Sequence, residues 1–318
     1  MTVSRTRSSV LLLWAAAVLC ASCAVKPNAQ PTAQTQQQPA PTPFDYDTSL
    51  PLNVEVGEAK IAPAAVEERI EFDSPKGGRV AGLLIRPRKI EKPPVVLFLH
   101  GLGGSKKDAR LAASLLVPEG IAVLGLDAAC HGDRKIEGEE FFSPDLQKPR
   151  EHIIQTVIDY RRAIDYLQTR DDVDVDRLGL IGASLGAILG SMVGGVDKRV
   201  DACLLIVGGG DWRKIISKSE HPAAQKLRDV LSPGMPSPLD DIDPIWWVGQ
   251  ISPRPVWMMN GRQDKIIPAA AAEALHQAAK QPKKVIWYDG GHMPPMPLIA
   301  SAIKSWLKEW LVGAAPGE

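Results

Sequence analysis

From Glu55 onward, short apolar runs alternate with longer stretches whose apolar residues recur at helical spacing. Val95 to Leu99, Ala122 to Leu126, Leu178 to Ile181, Ala202 to Val207, Val256 to Met259 and Val285 to Tyr288 have almost no polar interruption. Such runs predict strands buried on both faces, because a half-exposed strand would alternate apolar and polar residues. Asp108 to Val117, Glu151 to Leu167, Leu185 to about Met192, Pro268 to Ala279 and Leu298 to Leu311 read as helices. The second of these carries Ile153, Ile154, Val157, Ile158, Ile164 and Leu167 along one broad face. Alternation of this kind predicts an α/β fold, a mostly parallel central sheet with helices on both faces. Ahead of it, Val66 to Phe72 and Arg79 to Arg86 are extended runs joined by Ser74-Pro75-Lys76-Gly77-Gly78, a hairpin signal that adds antiparallel strands at one edge.

The pattern fails in two places. Asp211 to Ile245 is rich in proline, serine and charge; it is expected to be a small cap insertion over the C-terminal edge of the sheet, with a plain solvated loop as the competing reading. The N-terminus fails differently. Arg5 and Arg7 precede the uninterrupted apolar run Val10 to Leu19, which is followed by the small residues Ala21, Ser22 and Ala24. Residues 1–24 therefore read as a signal peptide, the run being shorter than the roughly 18 residues a membrane span needs. Leu19-Cys20-Ala21-Ser22-Cys23 resembles a bacterial lipoprotein signal with Cys23 as the lipidated residue, departing from that pattern at Cys20; cleavage after Ala24 is the alternative. Val25 to Pro43 is dense in Pro, Gln, Thr and Ala, too poor in large apolar residues to offset chain entropy. A disordered tether over 25–48 and a folded domain over 49–318 follow from this. The protein is expected to be exported, to the periplasm or as an outer-membrane or cell-envelope lipoprotein, otherwise secreted, and to meet a membrane only through that lipid anchor.

Composition narrows the function classes. The 318 residues include 37 basic and 37 acidic ones, with no long run of either sign. That argues against nucleic acid as a partner. With the first two cysteines in the leader, the domain keeps Cys130, in a loop, and Cys203, in a strand; two free thiols are expected, with a Cys130–Cys203 pair as the alternative in an exported protein, and no Cys/His spacing marks a metal site. No cofactor is implied.

The chemistry centres on Gly182-Ala183-Ser184-Leu185-Gly186, which leaves a predicted strand and opens a helix of small residues. A nucleophile elbow needs that setting, a sharp turn at the serine with no bulk at the flanking glycines. The five-residue pattern arises by chance in about one chain of this length in ten, so chain order carries the argument. Asp264 and His292 follow in sequence, each just beyond a later strand, in Asn260-Gly261-Arg262-Gln263-Asp264 and Asp289-Gly290-Gly291-His292. Ser184, Asp264 and His292 are thus the candidate catalytic triad. Asp211, after Gly208-Gly209-Gly210, is the alternative acid. His100-Gly101-Leu102-Gly103-Gly104 follows another strand and lets backbone amides approach a carbonyl, so Leu102 and Leu185 are the candidate oxyanion-hole donors. That loop lacks the spacing of a phosphate or dinucleotide cradle. His131 reads as a supporting residue. Trp212 and Trp247 either line a pocket or pack the insertion, Trp246 likewise, and Trp257 belongs to a strand core.

Together with Asp127-Ala128-Ala129-Cys130-His131-Gly132-Asp133 and the approach Ile251-Ser252-Pro253-Arg254-Pro255-Val256, these motifs resemble α/β-hydrolases of the dienelactone-hydrolase and prolyl-oligopeptidase-like esterase type, over roughly residues 65 to 312. The resemblance implies the α/β-hydrolase fold and ester or related acyl hydrolysis of a small-molecule substrate. A dienelactone hydrolase proper would carry a cysteine nucleophile; Ser184 points to the serine esterase branch. A serine peptidase is the second reading and a non-catalytic binding protein on the same fold the third.

Overall fold

The computed structural model describes residues 42–231 and 234–313; the predicted signal peptide, Cys23 and the tether through residue 41 lie outside the described residues. In chain order the elements are β1 (Glu55–Val56), β2 (Lys60–Ile61), β3 (Ala65–Asp73), β4 (Arg79–Pro87), β5 (Pro94–Leu99), α1 (Ala109–Leu116), β6 (Ala122–Leu126), α2 (Gln147–Gln168), β7 (Asp174–Ala183), α3 (Leu185–Val196), β8 (Ala202–Ile206), α4 (Trp212–Lys218), α5 (Pro222–Arg228), α6 (Pro244–Val248), β9 (Val256–Gly261), α7 (Ala269–Ala278), β10 (Lys283–Tyr288) and α8 (Met296–Gly313).

These strands form one sheet in the order β1-β3-β4-β6-β5-β7-β8-β9-β10, with β2 also on β3. β3 and β4 make an antiparallel hairpin, β4 meets β6 antiparallel, and from β6 to β10 every pairing is parallel. The α/β architecture with an antiparallel edge is therefore as expected.

The apolar runs are continuous because successive residues of one strand enter two different cores. On β5, Val95, Leu97 and Leu99 face a core built with α2 and α3, whereas Val96 faces one built with α1 and α8. β9 divides the same way, Val256 and Met258 to the first side, Trp257 and Met259 to the second. On α2, residues Ile153, Ile154, Val157 and Ile158 supply the first core; on α8, Trp306 and Trp310 stack at 5.2 Å in the second. At about 25 cal/mol per Å² of apolar surface, these two interfaces are the main source of stability.

Residues 42–48 differ from the tether their composition predicts. Phe44 is fully buried with its ring edge-on to Trp247 at 5.0 Å, and the Tyr46 hydroxyl donates to Asp165 at 2.7 Å. Two aromatic side chains are enough to dock a segment that is otherwise polar. Cys130 and Cys203 are both free. Among the described residues no helix is long and apolar enough to cross a membrane.

Candidate active site

The parallel strands deliver their following loops to one edge of the sheet. Ser184 leaves β7 at the centre, the 100–104 loop leaves the neighbouring β5, and Asp264 and His292 follow β9 and β10. At Ser184 the backbone takes φ 55° and ψ −119°, a conformation that L-residues avoid, and its amide donates to the Ile206 carbonyl at 2.9 Å. The flanking glycines are obligatory for steric reasons. A Cβ on Gly182 would lie 2.2 Å from the Gly186 carbonyl oxygen, and one on Gly186 would lie 2.0 Å from that of Leu99. The turn thus presses α3 against β5 and β7 and pushes the serine out.

Three side chains then meet in a line. Ser184 Oγ lies 2.9 Å from His292 Nε2, and His292 Nδ1 lies 2.8 Å from Asp264 Oδ2. The Asp264 side chain is buried completely, and its other oxygen accepts the amides of Ile266 and Ile267 at 2.8 and 2.9 Å. Those amides fix the carboxylate, which in turn fixes the imidazole: Nδ1–H donates to Asp264, leaving the Nε2 lone pair to accept from the Ser184 hydroxyl. Asp211 is not brought to this line. It stands in the left-handed region (φ 64°) at the start of α4, accepts the Lys214 amide at 3.1 Å and pairs with Lys214 Nζ at 2.9 Å. Its role is a helix cap, because the β8 exit turns away into α4 before the carboxylate can face His292.

Leu102 and Leu185 border the same cavity as Ser184 and His292. Among the described residues neither of their amides has a hydrogen-bond acceptor within the chain. The loop carrying Leu102 is held by two histidines: Gly103 N–H donates to His131 Nε2 at 3.1 Å, and Ala128 N–H donates to His100 Nε2 at 3.1 Å. Burial holds both imidazoles below the ordinary histidine range. Behind them lies a buried ion pair, Lys106 Nζ on Asp127 Oδ2 at 2.6 Å, with Asp133 at the same distance on the solvent side.

The cavity measures about 190 Å³ and is walled largely by apolar side chains, Ile188 and Ile267 from the sheet side and Trp212, Ile215, Ile216 and Leu227 from α4 and α5. The segment after β8 therefore supplies much of the wall. Trp212 packs there with 2% exposure, Trp247 is buried against Phe44, Trp246 is 61% exposed, and Trp257 lies in the strand core. His221 also borders the cavity; its Nδ1 accepts the Ala223 amide at 3.1 Å, and burial followed by the proximity of His292 keeps its pKa low. Sequence reasoning passed over His221 and Phe142. Neither lies in a motif, and only the fold of the insertion and of the 133–146 segment brings them to the cavity.

Comparison with known proteins gives a consistent picture. The model of a family described as "Alpha/beta hydrolase family" matches residues 96–299. "Putative hydrolase YtaP" of Bacillus subtilis (strain 168) is 25% identical over 295 residues, covering 84% of this chain and 95% of that one. An acetyl xylan esterase from Paenibacillus sp. R4 superposes with a TM-score of 0.72 at 20% identity, covering 81% of this chain and 89% of that one. Acetyl xylan esterase 1 from Thermoanaerobacterium sp. JW/SL YS485 gives 0.71 at 18% identity, covering 84% and 90%. At such identities the two structural likenesses speak to the fold.

Proposed function

The chain belongs to the alpha/beta hydrolase family, and from that premise we propose that it is a serine esterase that cleaves small carboxylic esters with an apolar acyl group. The observation that carries the proposal is the hydrogen-bonded line Ser184–His292–Asp264 at the wall of an apolar cavity. In the proposed reaction His292 Nε2 takes the Ser184 hydroxyl proton as Oγ attacks the ester carbonyl carbon. Asp264 keeps the imidazole oriented and stabilises it once protonated. The amides of Leu102 and Leu185 receive the developing oxyanion, each contributing about 3 kcal/mol. Collapse expels the alcohol, which takes the proton back from His292. Water, activated by the same nitrogen, then releases the acid and restores Ser184.

The lining chosen by α4 and α5 bears on the substrate. Trp212, Ile215, Ile216 and Leu227 offer more apolar volume than an acetyl group fills, so a short to medium acyl chain suits the cavity, although two structural neighbours carry the name of acetyl xylan esterases. We further propose export, with residues 1–24 as the signal and Cys23 as the lipidation residue; mass spectrometry of the mature N-terminus in cell-envelope fractions would reveal a diacylglyceryl cysteine or its absence.

The enzyme proposal is tested with a fluorophosphonate probe and p-nitrophenyl esters of rising chain length. Labelling and turnover are expected in the wild type and neither in Ser184→Ala of equal circular dichroism. A folded wild type that neither labels nor turns over esters would overturn it; peptide substrates cleaved faster than esters would replace it with a peptidase.

A further inference from the structure

A second cavity, of about 300 Å³, lies beside the first and shares Leu102, Phe142, His221 and Ala223 with it. Its wall includes Cys130 and Glu139. Behind Cys130, on α2, stands His152. The donor atoms of Cys130, Glu139 and His152 lie within 4.8 Å of one another, with Sγ and Nε2 at 3.3 Å. From this geometry we propose that Cys130, Glu139 and His152 bind a divalent ion of the zinc class, with one coordination position left open toward the second cavity.

Three features support the site. First, the His152 ring is preset. Its Nδ1 lies 2.9 Å from the Phe141 carbonyl, an acceptor only, so Nδ1 carries the proton and Nε2 presents its lone pair to Cys130. Metal-binding histidines are typically oriented in this way, by a carbonyl or carboxylate on the other nitrogen. Second, the spacing fits. Bonds of about 2.3 Å to sulfur and 2.0 Å to nitrogen at a tetrahedral angle place the two donors roughly 3.5 Å apart. Third, the Cys130 backbone sits at φ 58°, in the left-handed region that residues with a side chain avoid. Among the described residues it is one of five non-glycine residues at positive φ, and two others, Ser184 and Asp211, hold a defined site or cap.

The donor set decides the ion class. A thiolate and an imidazole exclude magnesium and calcium, which prefer oxygen, and suit zinc. In the free protein the Cys130 thiol donates its proton in a hydrogen bond to His152 Nε2 at 3.3 Å. Binding would release that proton to solvent as the S–metal bond forms; Nε2 and a Glu139 oxygen donate without further proton loss, and water fills the open position. Glu139 is exposed and would exchange its ion pair with Lys148 Nζ, at 3.9 Å, for the ion. The ion would tie the loop after β6 and the 136–142 segment to α2. No sequence spacing announces the trio, because its members come from two loops and a helix.

The test needs no ester turnover, so its failure leaves the esterase reading untouched. The purified protein is stripped with a chelator, then titrated with Zn²⁺ by calorimetry and with Co²⁺ by absorption. One equivalent of each is expected, the Co²⁺ adduct showing a thiolate charge-transfer band in the near ultraviolet. Cys130→Ser should lose the band while Cys203→Ser keeps it. Glu139→Gln, a surface change that leaves the fold intact, should weaken Zn²⁺ by at least about tenfold. Absence of Zn²⁺ binding in the wild type, a band that survives Cys130→Ser, or unchanged affinity in Glu139→Gln would overturn the site and leave a Cys130–His152 hydrogen bond only.

Discussion

His100 and His131 hold each other's loops: their ring centroids lie 5.0 Å apart, and each Nε2 accepts a backbone amide from the other's segment, Ala128 for His100 and Gly103 for His131. Each Nδ1 is engaged as a donor to a carbonyl, Gly101 for His100 and Ala129 for His131. Both rings are thereby fixed as neutral tautomers, and the pair stitches the 100–104 loop, with Leu102, to the loop after β6.

Protonation of either ring removes an acceptor, which makes the stitch sensitive to acid. Burial lowers both pKa values in the folded state. The unfolded chain, titrating near 6.5, then binds more protons than the folded one in mild acid. Stability from this pair is complete above about pH 6.5 and is lost as pH falls below it toward the folded values. Urea midpoints should therefore fall between pH 7.5 and 5.5. His131→Phe should lower the unfolding free energy at pH 7.5 by about 1–3 kcal/mol, leaving the Gly103 amide unpaired, and make the acid decline shallower. A midpoint that does not respond to pH in the wild type would contradict this account.

Asp264 and Asp211 are separable by substitution. Asp264→Asn disrupts the imidazole's fixed tautomer, and kcat toward a p-nitrophenyl ester should drop by about 10³- to 10⁴-fold with the fold retained. Asp211→Ala removes a helix cap from a left-handed position. It should cost about 1–2 kcal/mol of stability and leave kcat near the wild-type value. Steady-state kinetics beside thermal melts of the two variants give the comparison, and a large kcat loss in Asp211→Ala would return that residue to the acid role.

The elbow tolerates no added carbon. Gly186→Ala would place a Cβ 2.0 Å from the Leu99 carbonyl oxygen, a backbone atom that cannot swing aside. A loss of about 3 kcal/mol or more is expected, at or beyond the upper end of overpacking costs, seen as a lower urea midpoint at unchanged m-value. Gly103→Ala faces open space but a φ of +80°, and should cost about 1 kcal/mol through strain alone.

Chain-length preference should follow the wall of the first cavity. Ile216 is buried on α4 and borders it. Ile216→Phe fills space meant for the distal acyl carbons. The kcat/KM for the longest accepted p-nitrophenyl ester should fall tenfold or more, the scale on which one methylene is discriminated, while the acetate ester changes little. Parallel losses for all chain lengths would place the acyl group elsewhere.

Much of this protein is decided locally and is therefore readable along the chain. Apolar runs without alternation identify strands covered on both faces, and β5 to β9 lie where those runs lie because nearly every residue in them is buried on one side or the other; the Val285–Tyr288 run differs, since β10 is the edge strand and leaves Val285 exposed. The elbow is local too: a serine at a forbidden φ needs its two glycines within two residues. The order Ser184, Asp264, His292 places each residue just after a parallel strand, and parallel strands share one C-terminal edge. Tertiary structure alone decided which loops touch across that edge. That Asp211 caps α4 instead of facing His292, that Trp212 and Leu227 wall a cavity, that Phe44 docks on Trp247, and that Cys130 meets His152 all depend on contacts between segments distant in sequence. Such contacts carry no periodicity and no fixed spacing, because they are set by how irregular loops pack once the sheet has brought their ends together.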